Sequence, residues 1–358
     1  MTIAYSGDSI TFPDNSVQAT APKVGMVNRV INGGMTIDQR NAGASVTINS
    51  SAYTYPVDRF AGFGEPTDGV FTLQQSATAP AGFTNSILAT VTTADASIGT
   101  SQRYFIRQVI EGYNIADLGF GAAGAATISI SFWTRSSLTG TFGGTLMNGD
   151  FDRAYPFTYT ISAANTWEQK TITVAGDTSG TWLKTNGGGL FICWSMGAGT
   201  TRLGTAGAWQ TPVGPLFGAT GQTNIIATSG ATFYITGVQL EKGSTATSFD
   251  YRPYGTELGL CQRYYYQNIS NISTRFQMDV MTSNAGNPLV YVPYSVPMRA
   301  NPTKALIGTW TVSGLTSTPS FTGNSYGTNI QFDGTNASIV RAFAYPNDNS
   351  GWSASAEL

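Results

Sequence analysis

The stretch Thr127-Ile128-Ser129-Ile130-Ser131-Phe132-Trp133-Thr134 decides the fold class. Ile128, Ile130 and Phe132 fall on one side of an extended chain and the hydroxyls on the other, the period-two pattern of a half-buried strand. Lys170-Thr171-Ile172-Thr173-Val174 repeats the alternation and stops at Gly176-Asp177, a turn signal. Gly189-Leu190-Phe191-Ile192-Cys193-Trp194-Ser195 and Thr232-Phe233-Tyr234-Ile235-Thr236-Gly237-Val238-Gln239-Leu240 read as better-buried strands. No helical stripe exceeds about three turns, because Thr, Gly and β-branched residues oppose one. One short helix is expected at Gly255–Arg263, with Leu258 and Cys261 on one face and Thr256 as its cap. Short strands separated by turn signals indicate sandwiches, so the chain is expected to be all-β.

Working outward, the 358 residues divide into three zones. Residues 1–25 are too short for a core of their own. They carry strand-forming Ile10-Thr11-Phe12 and Val17-Gln18-Ala19 around the turn Pro13-Asp14-Asn15. Residues 26–254 hold most of the strands and close at Arg252-Pro253-Tyr254. Residues 255–358 form a second, smaller β unit with strands expected at Tyr264–Ile272, Leu289–Val296, Ala305–Val312, Asn329–Phe332 and Ile339–Ala344.

Composition excludes several functions. Lys and Arg number 18 and Asp and Glu 20, a formal charge of -2, and only 11% of the chain is charged. So few cations give no electrostatic footprint for nucleic acid. The absence of His excludes Ser-His-Asp and Cys-His nucleophile systems and imidazole-ligated zinc. Cys193 and Cys261, each among apolar neighbours, are expected to be buried thiols. Met1–Asp8 has neither a basic nor an apolar targeting region, and no run reaches the length of a membrane span. A protein without signal peptide or membrane insertion is expected.

Gln239-Leu240-Glu241-Lys242-Gly243, followed by Ala246-Thr247 and Phe249-Asp250-Tyr251-Arg252-Pro253, resembles the strand-end signature of a jelly-roll module of tailed-phage virion proteins. Glu257-Leu258 with Cys261-Gln262-Arg263-Tyr264-Tyr265 resembles the junction that follows it. Asn32-Gly33-Gly34-Met35, Gln39-Arg40-Asn41 and Asp58-Arg59-Phe60 are similar to its opening. Ile10–Thr20 is similar to an element of phage tail-fibre proteins, and Val296-Pro297-Met298-Arg299-Ala300-Asn301-Pro302-Thr303 with Ala356-Glu357-Leu358 to a fibre-tip sandwich. The resemblance to the tail-fibre or receptor-binding family touches all three zones. It implies a virion-attachment segment, then a jelly-roll domain like carbohydrate-binding modules, then a β-sandwich tip. It also implies a homotrimer, assembled in the host cytoplasm, whose partners are other tail or capsid proteins and a host surface glycan.

In the related carbohydrate-binding modules, calcium is held by a carboxylate in the opening turn and an acidic pair in the last strand. Met35-Thr36 and Thr236-Gly237 stand at those places. Calcium requires hard oxygen ligands, usually carboxylates among them, so no cofactor is expected. Sugar binding relies on aromatic faces beside amides and hydroxyls. The candidate glycan contacts are Tyr326, Tyr345, Trp352, Trp209 and Trp182, each beside Gly, Asn, Ser or Thr, with Asn324–Gly327 and Tyr345–Asn349 as the recognition loops. Trp133, Trp167, Trp194 and Trp310 are expected in the core, and Tyr264-Tyr265-Tyr266 between domains or subunits. A glycosidase needs two carboxylates flanking the scissile bond; Asp150 and Asp152, with Arg153 close by, are the nearest sequence pair. Without a recognisable catalytic domain, no enzyme is expected. A capsid or tail decoration protein is the alternative to a fibre, and an accessory module of a polysaccharide-degrading enzyme the second alternative.

Overall fold

The computed structural model describes residues 4–6, 9–11, 17–18, 27–65, 68–269, 278–281, 289–313, 318–331, 341–346 and 350–358. Near the start, β1 (Ala4–Ser6), β2 (Ser9–Thr11) and β3 (Val17–Gln18) pair as an antiparallel meander. Then come β4 (Val46–Ile48), β5 (Thr54–Val57), β6 (Phe60–Phe63), β7 (Val70–Ser76), β8 (Ser86–Thr93), β9 (Arg103–Glu111) and β10 (Ile128–Ser136). These are followed by β11 (Gly140–Met147), β12 (Ala154–Ile161), β13 (Glu168–Val174), β14 (Gly188–Ala198), the short pair β15 (Leu203–Gly204) and β16 (Gly218–Ala219), and β17 (Thr232–Lys242). Two six-stranded sheets result, ordered β13-β10-β17-β8-β7-β4 and β12-β11-β14-β9-β6-β5, and the chain crosses between them repeatedly. The protein is all-β in a sandwich arrangement, as the alternation requires.

The alternating residues meet in the middle of the sandwich. Ile128, Ile130 and Phe132 of the first sheet pack with Phe142, Ile192 and Trp194 of the second, all fully buried. Trp194 stands edge-on to Phe132 at 5.8 Å between centroids, an arrangement the aromatic quadrupole favours. Cys193 and Cys261 are buried free thiols, and burial pushes Cys193 up to about 12.

The helix α1 (Tyr254–Gln262) starts one residue before the expected span. Its N-cap is Pro253, which makes no side-chain cap, so Thr256 does not cap it. Glu257 in the first turn complements the helix dipole. Cys261 is buried and Leu258 packs beside it, one face as the spacing predicts. No described helix is long and apolar enough to cross a membrane.

After the helix come β18 (Tyr265–Ile269), β19 (Met278–Met281), β20 (Leu289–Pro293), β21 (Thr303–Ile307), β22 (Trp310–Ser313), β23 (Ser320–Asn324), β24 (Gly327–Gln331), β25 (Arg341–Pro346) and β26 (Gly351–Ser355). They form three-stranded sheets β18-β26-β21, β19-β25-β22 and β20-β24-β23. The single strand expected at Ala305–Val312 is two strands, broken at Gly308, whose φ of 65° a side chain rarely adopts. Trp352 lies at the centre of this second core with Tyr294, Met298, Trp310 and Ile330.

Charged side chains gather where the two units meet. Half-buried Arg40 bridges Asp58 (2.8 Å) and Glu357 (2.9 Å). Buried Arg59 also pairs with Glu357 and rests 3.5 Å above the Tyr264 ring. Glu111, at the end of β9, accepts from Arg263 (2.6 and 3.0 Å) and from the Tyr264 hydroxyl (2.6 Å). Tyr264 thus packs between the units, as its sequence position suggests. Burial raises the Asp58 carboxyl to about 6 despite the opposing Arg40 charge.

Candidate functional site

In β20 the side chains alternate, with Val290 and Val292 against the core and Leu289, Tyr291 and Pro293 outward. The register carries this outer face across the sheet: Tyr291 pairs with Asn329 and Asn329 with Thr322, while Pro293 pairs with Gly327 and Gly327 with Asn324. The Tyr291 ring lies directly over Gly327, where a Cβ would come within 2.4 Å of it. Tyr326 stands beside it in the turn between β23 and β24. Its N–H donates to Asn324 Oδ1 (2.9 Å) and its carbonyl accepts from Tyr294 N–H (3.0 Å). Tyr326 is 63% exposed and Tyr291 53%. The three strands contain no charged residue. Two held tyrosines, amides and hydroxyls make an uncharged surface that can stack on an apolar ring face and hydrogen-bond its substituents.

Of the sequence-derived contacts whose side chains are described, Tyr326 alone lies on this surface. The backbone of Tyr345 belongs to β25, opposite Thr311; its side chain and residues 347–349 lie outside the described residues. Trp352 is a correction. It is 2% exposed and packs against Tyr266 and Phe321, so no ligand reaches it. Trp182 and Trp209 do come together, at 5.4 Å between centroids, but edge-on and around Phe120. Their indole N–H groups donate to the carbonyls of Ser179 (3.2 Å) and Ala175 (2.7 Å). Trp182 is buried and Trp209 packs on the core, so the pair closes the sandwich and is not a sugar platform. Tyr291 is the residue the sequence reading missed. Its signal was the alternation Leu289-Val290-Tyr291-Val292, which leaves one set of side chains outside.

The larger sandwich presents two further faces. The outer face of the β14–β9 sheet is filled by the chain itself. Phe63, Phe105 and Phe217 stack at 5.0 and 4.5 Å, and the covering loop is pinned where Gln222 donates to Ser195 Oγ at 2.6 Å. Arg107 lies 3.5 Å over Tyr53 and donates to the Leu358 carbonyl at 3.0 Å. On the opposite sheet, Trp133, Trp167 and Tyr234 are partly exposed on the outer face, a correction to the expected core placement of both tryptophans. Trp194 and Trp310 are buried as expected.

Asp150 and Asp152 do not share a charged partner with Arg153. Asp152 accepts from Asn148 (2.6 Å), whereas Arg153 makes a two-bond pair with buried Asp177 (2.7 Å each). Met35-Thr36 and Thr236-Gly237, at the places where the related modules hold calcium, supply no carboxylate. The opening segment is tied to the last strand by Asn28, which donates to the Val238 carbonyl (2.9 Å) and accepts from Leu240 N–H (3.1 Å). Among the described residues no group of three or more Cys, Asp or Glu could hold a metal ion.

No family model matches the chain, and no curated protein matches it. Among solved structures, the chain is similar to the enzymatically active domain of bacteriophage CBA120 tailspike protein 4, at 12% identity and a TM-score of 0.31. That match covers 61% of this chain and 22% of the tailspike structure, so the chain spans under a quarter of that neighbour's length. It is also similar to a family 11 carbohydrate-binding module of a cellulosomal cellulase of Clostridium thermocellum, at 9% identity and a TM-score of 0.29, over 57% of this chain and 99% of the module. A family 4 carbohydrate-binding module matches at 15% identity and a TM-score of 0.27, over 59% of this chain and 98% of the module.

Proposed function

We propose that the chain is a non-enzymatic tail-fibre protein of a phage virion, adhering to uncharged glycans on the host surface through its C-terminal sandwich. The observation that carries this reading is the charge-free face around Tyr291 and Tyr326, two exposed rings among amides and hydroxyls. Such a face suits stacking and neutral hydrogen bonding, and offers an ionic partner nothing to pair with. Contacts of this kind are weak singly. A homotrimer on several fibres raises the avidity by a factor of roughly 10² or more without new contacts. Residues 1–25 serve as the virion-attachment segment, because so short a segment gains its burial by docking onto other chains.

Binding of the full chain to polysaccharide extracted from the host surface tests the reading. The prediction is saturable binding that is unchanged from low to high salt, since screening weakens only charged contacts. Binding that disappears at high salt, or is absent altogether, argues against it. Absence would favour the decoration reading.

A further inference from the structure

A concave feature lies on the larger sandwich, far from Tyr291 in sequence. Phe83, Phe249 and Tyr251 form a corner of three rings with centroids 4.9 to 5.6 Å apart, Phe249 edge-on to the other two. They wall a cavity of about 210 Å³ that also reaches Gly34, Arg252 and Glu257. The Tyr251 hydroxyl donates to the Gly82 carbonyl (2.8 Å), which fixes the ring as a rim while 61% of the residue stays exposed. The cavity is below the roughly 300 Å³ at which pockets for drug-sized ligands begin, and so has room for one ring rather than a chain.

Its base is polar, with its charges paired to one another. Arg252 donates through one nitrogen to both oxygens of Glu257 (3.1 Å each), and both side chains are largely buried. Arg252 Nε is buried without a hydrogen-bond partner, 4.0 Å from a carboxylate oxygen of Asp250. An added anion would face Glu257 and an added cation would face Arg252, whereas hydroxyls can both donate and accept there. The aromatic surface also continues out of the cavity. A Cβ on Gly237 would meet Phe83 at 2.6 Å and Trp133 at 3.1 Å, so these two rings flank the same glycine. Beyond Trp133 the outer face carries Tyr234 and Trp167, 5.9 Å apart.

We propose that this cavity takes one uncharged pyranose ring, with the strip from Trp133 to Trp167 supporting the neighbouring sugars of the same chain. The inference rests on the glycan-adhesion reading and adds a second, independent contact to it. Apolar C–H faces of the ring meet the three aromatics, and its hydroxyls meet the Arg252–Glu257 base.

Gly34 supplies the test. A Cβ there would have only ordinary contacts, 3.8 Å to Phe249 and 3.9 Å to Thr36, so Gly34→Leu fills the cavity without displacing its walls. Ligand-observed saturation-transfer NMR would use the full chain with methyl glycosides of neutral hexoses and N-acetylhexosamines, and methyl glucuronide and glucosaminide as charged controls. The background is Tyr291→Ala with Tyr326→Ala, which removes the other surface. The expected result is transfer to a neutral glycoside in that background, lost to baseline when Gly34→Leu is added. Tyr251→Ala provides the same comparison should the leucine variant fail to fold. Transfer that survives both cavity variants, or that goes only to a charged glycoside, overturns the cavity proposal and leaves the adhesion reading standing. No transfer from the unmutated chain to any glycoside overturns both.

Discussion

Replacing Glu111 by alanine should loosen the C-terminal sandwich from the larger one. The carboxylate is 2% exposed as a residue and accepts three hydrogen bonds, two from Arg263 and one from the Tyr264 hydroxyl. Removing one member of a buried ion pair costs about 3–5 kcal/mol when the partner stays buried. The Arg263 side chain is one-third exposed and can turn to water, so its share falls towards the surface range of about 1 kcal/mol or less. Tyr264 is fully buried and its orphaned hydroxyl adds about 1–3 kcal/mol. The total expected is about 3 kcal/mol, read as a lower urea midpoint by tryptophan fluorescence. Tryptic cleavage after Arg263 should quicken in parallel. Tyr264→Phe removes only the hydroxyl and should cost about 1 kcal/mol. A Glu111→Ala protein that unfolds within about 0.5 kcal/mol of the parent would refute the view that this ion cluster joins the two units.

Three other outcomes follow from the same geometry. Trp352→Ala leaves a cavity in the second core and should cost about 3–5 kcal/mol, seen as a lower melting temperature, whereas Tyr326→Ala should leave melting nearly unchanged. The Asp58 carboxyl is raised to about 6 by burial, with Arg40, Gln39 and Glu357 around it. The stability it contributes is therefore full below about pH 4 and lost as pH rises through about 6, bounded at ~3 kcal/mol. The Asp58→Asn variant should lack that pH dependence, so the difference between the two proteins' melting temperatures should change from pH 4 to 7, and a constant difference would contradict it. Deleting residues 1–22 should leave a trimer by light scattering that no longer assembles onto particles; normal incorporation places the anchor elsewhere.

The strands were legible wherever one face is buried. Ile128, Ile130 and Phe132 alternate because one side of β10 meets the apolar core, and β13 follows the same rule, whereas β14 is buried along nearly its whole length and reads as a continuous apolar run. That alternation also places Trp133 outside, since it follows inward-facing Phe132, so the tryptophan was misread by overlooking its own strand's period. Trp352 was illegible for a different reason. Its neighbours Gly351 and Ser353 read as loop, yet β26 pairs on both sides with β18 and β21, which lie far back in the sequence. Trp182 and Trp209 sit in loops and meet across 26 intervening positions only through the fold. Tyr326 was readable because a turn of Asn, Ser and Gly cannot bury a ring locally. The Phe83–Phe249–Tyr251 cavity was not readable, since its walls come from segments more than 160 residues apart that only the closed sandwich brings together.

The most direct test is adsorption of particles carrying Tyr291→Ala with Tyr326→Ala to host cells. Both side chains are more than half exposed, so the fold and its melting temperature should stay as in the parent. The account predicts an adsorption rate at least about tenfold lower, because loss of a weak contact is multiplied across three chains and several fibres. It also predicts that free neutral saccharide, and not salt, competes with the parent particles. Adsorption of the double variant at the parental rate, with its fold intact, would contradict the claim that this uncharged tyrosine face is where the protein meets its host.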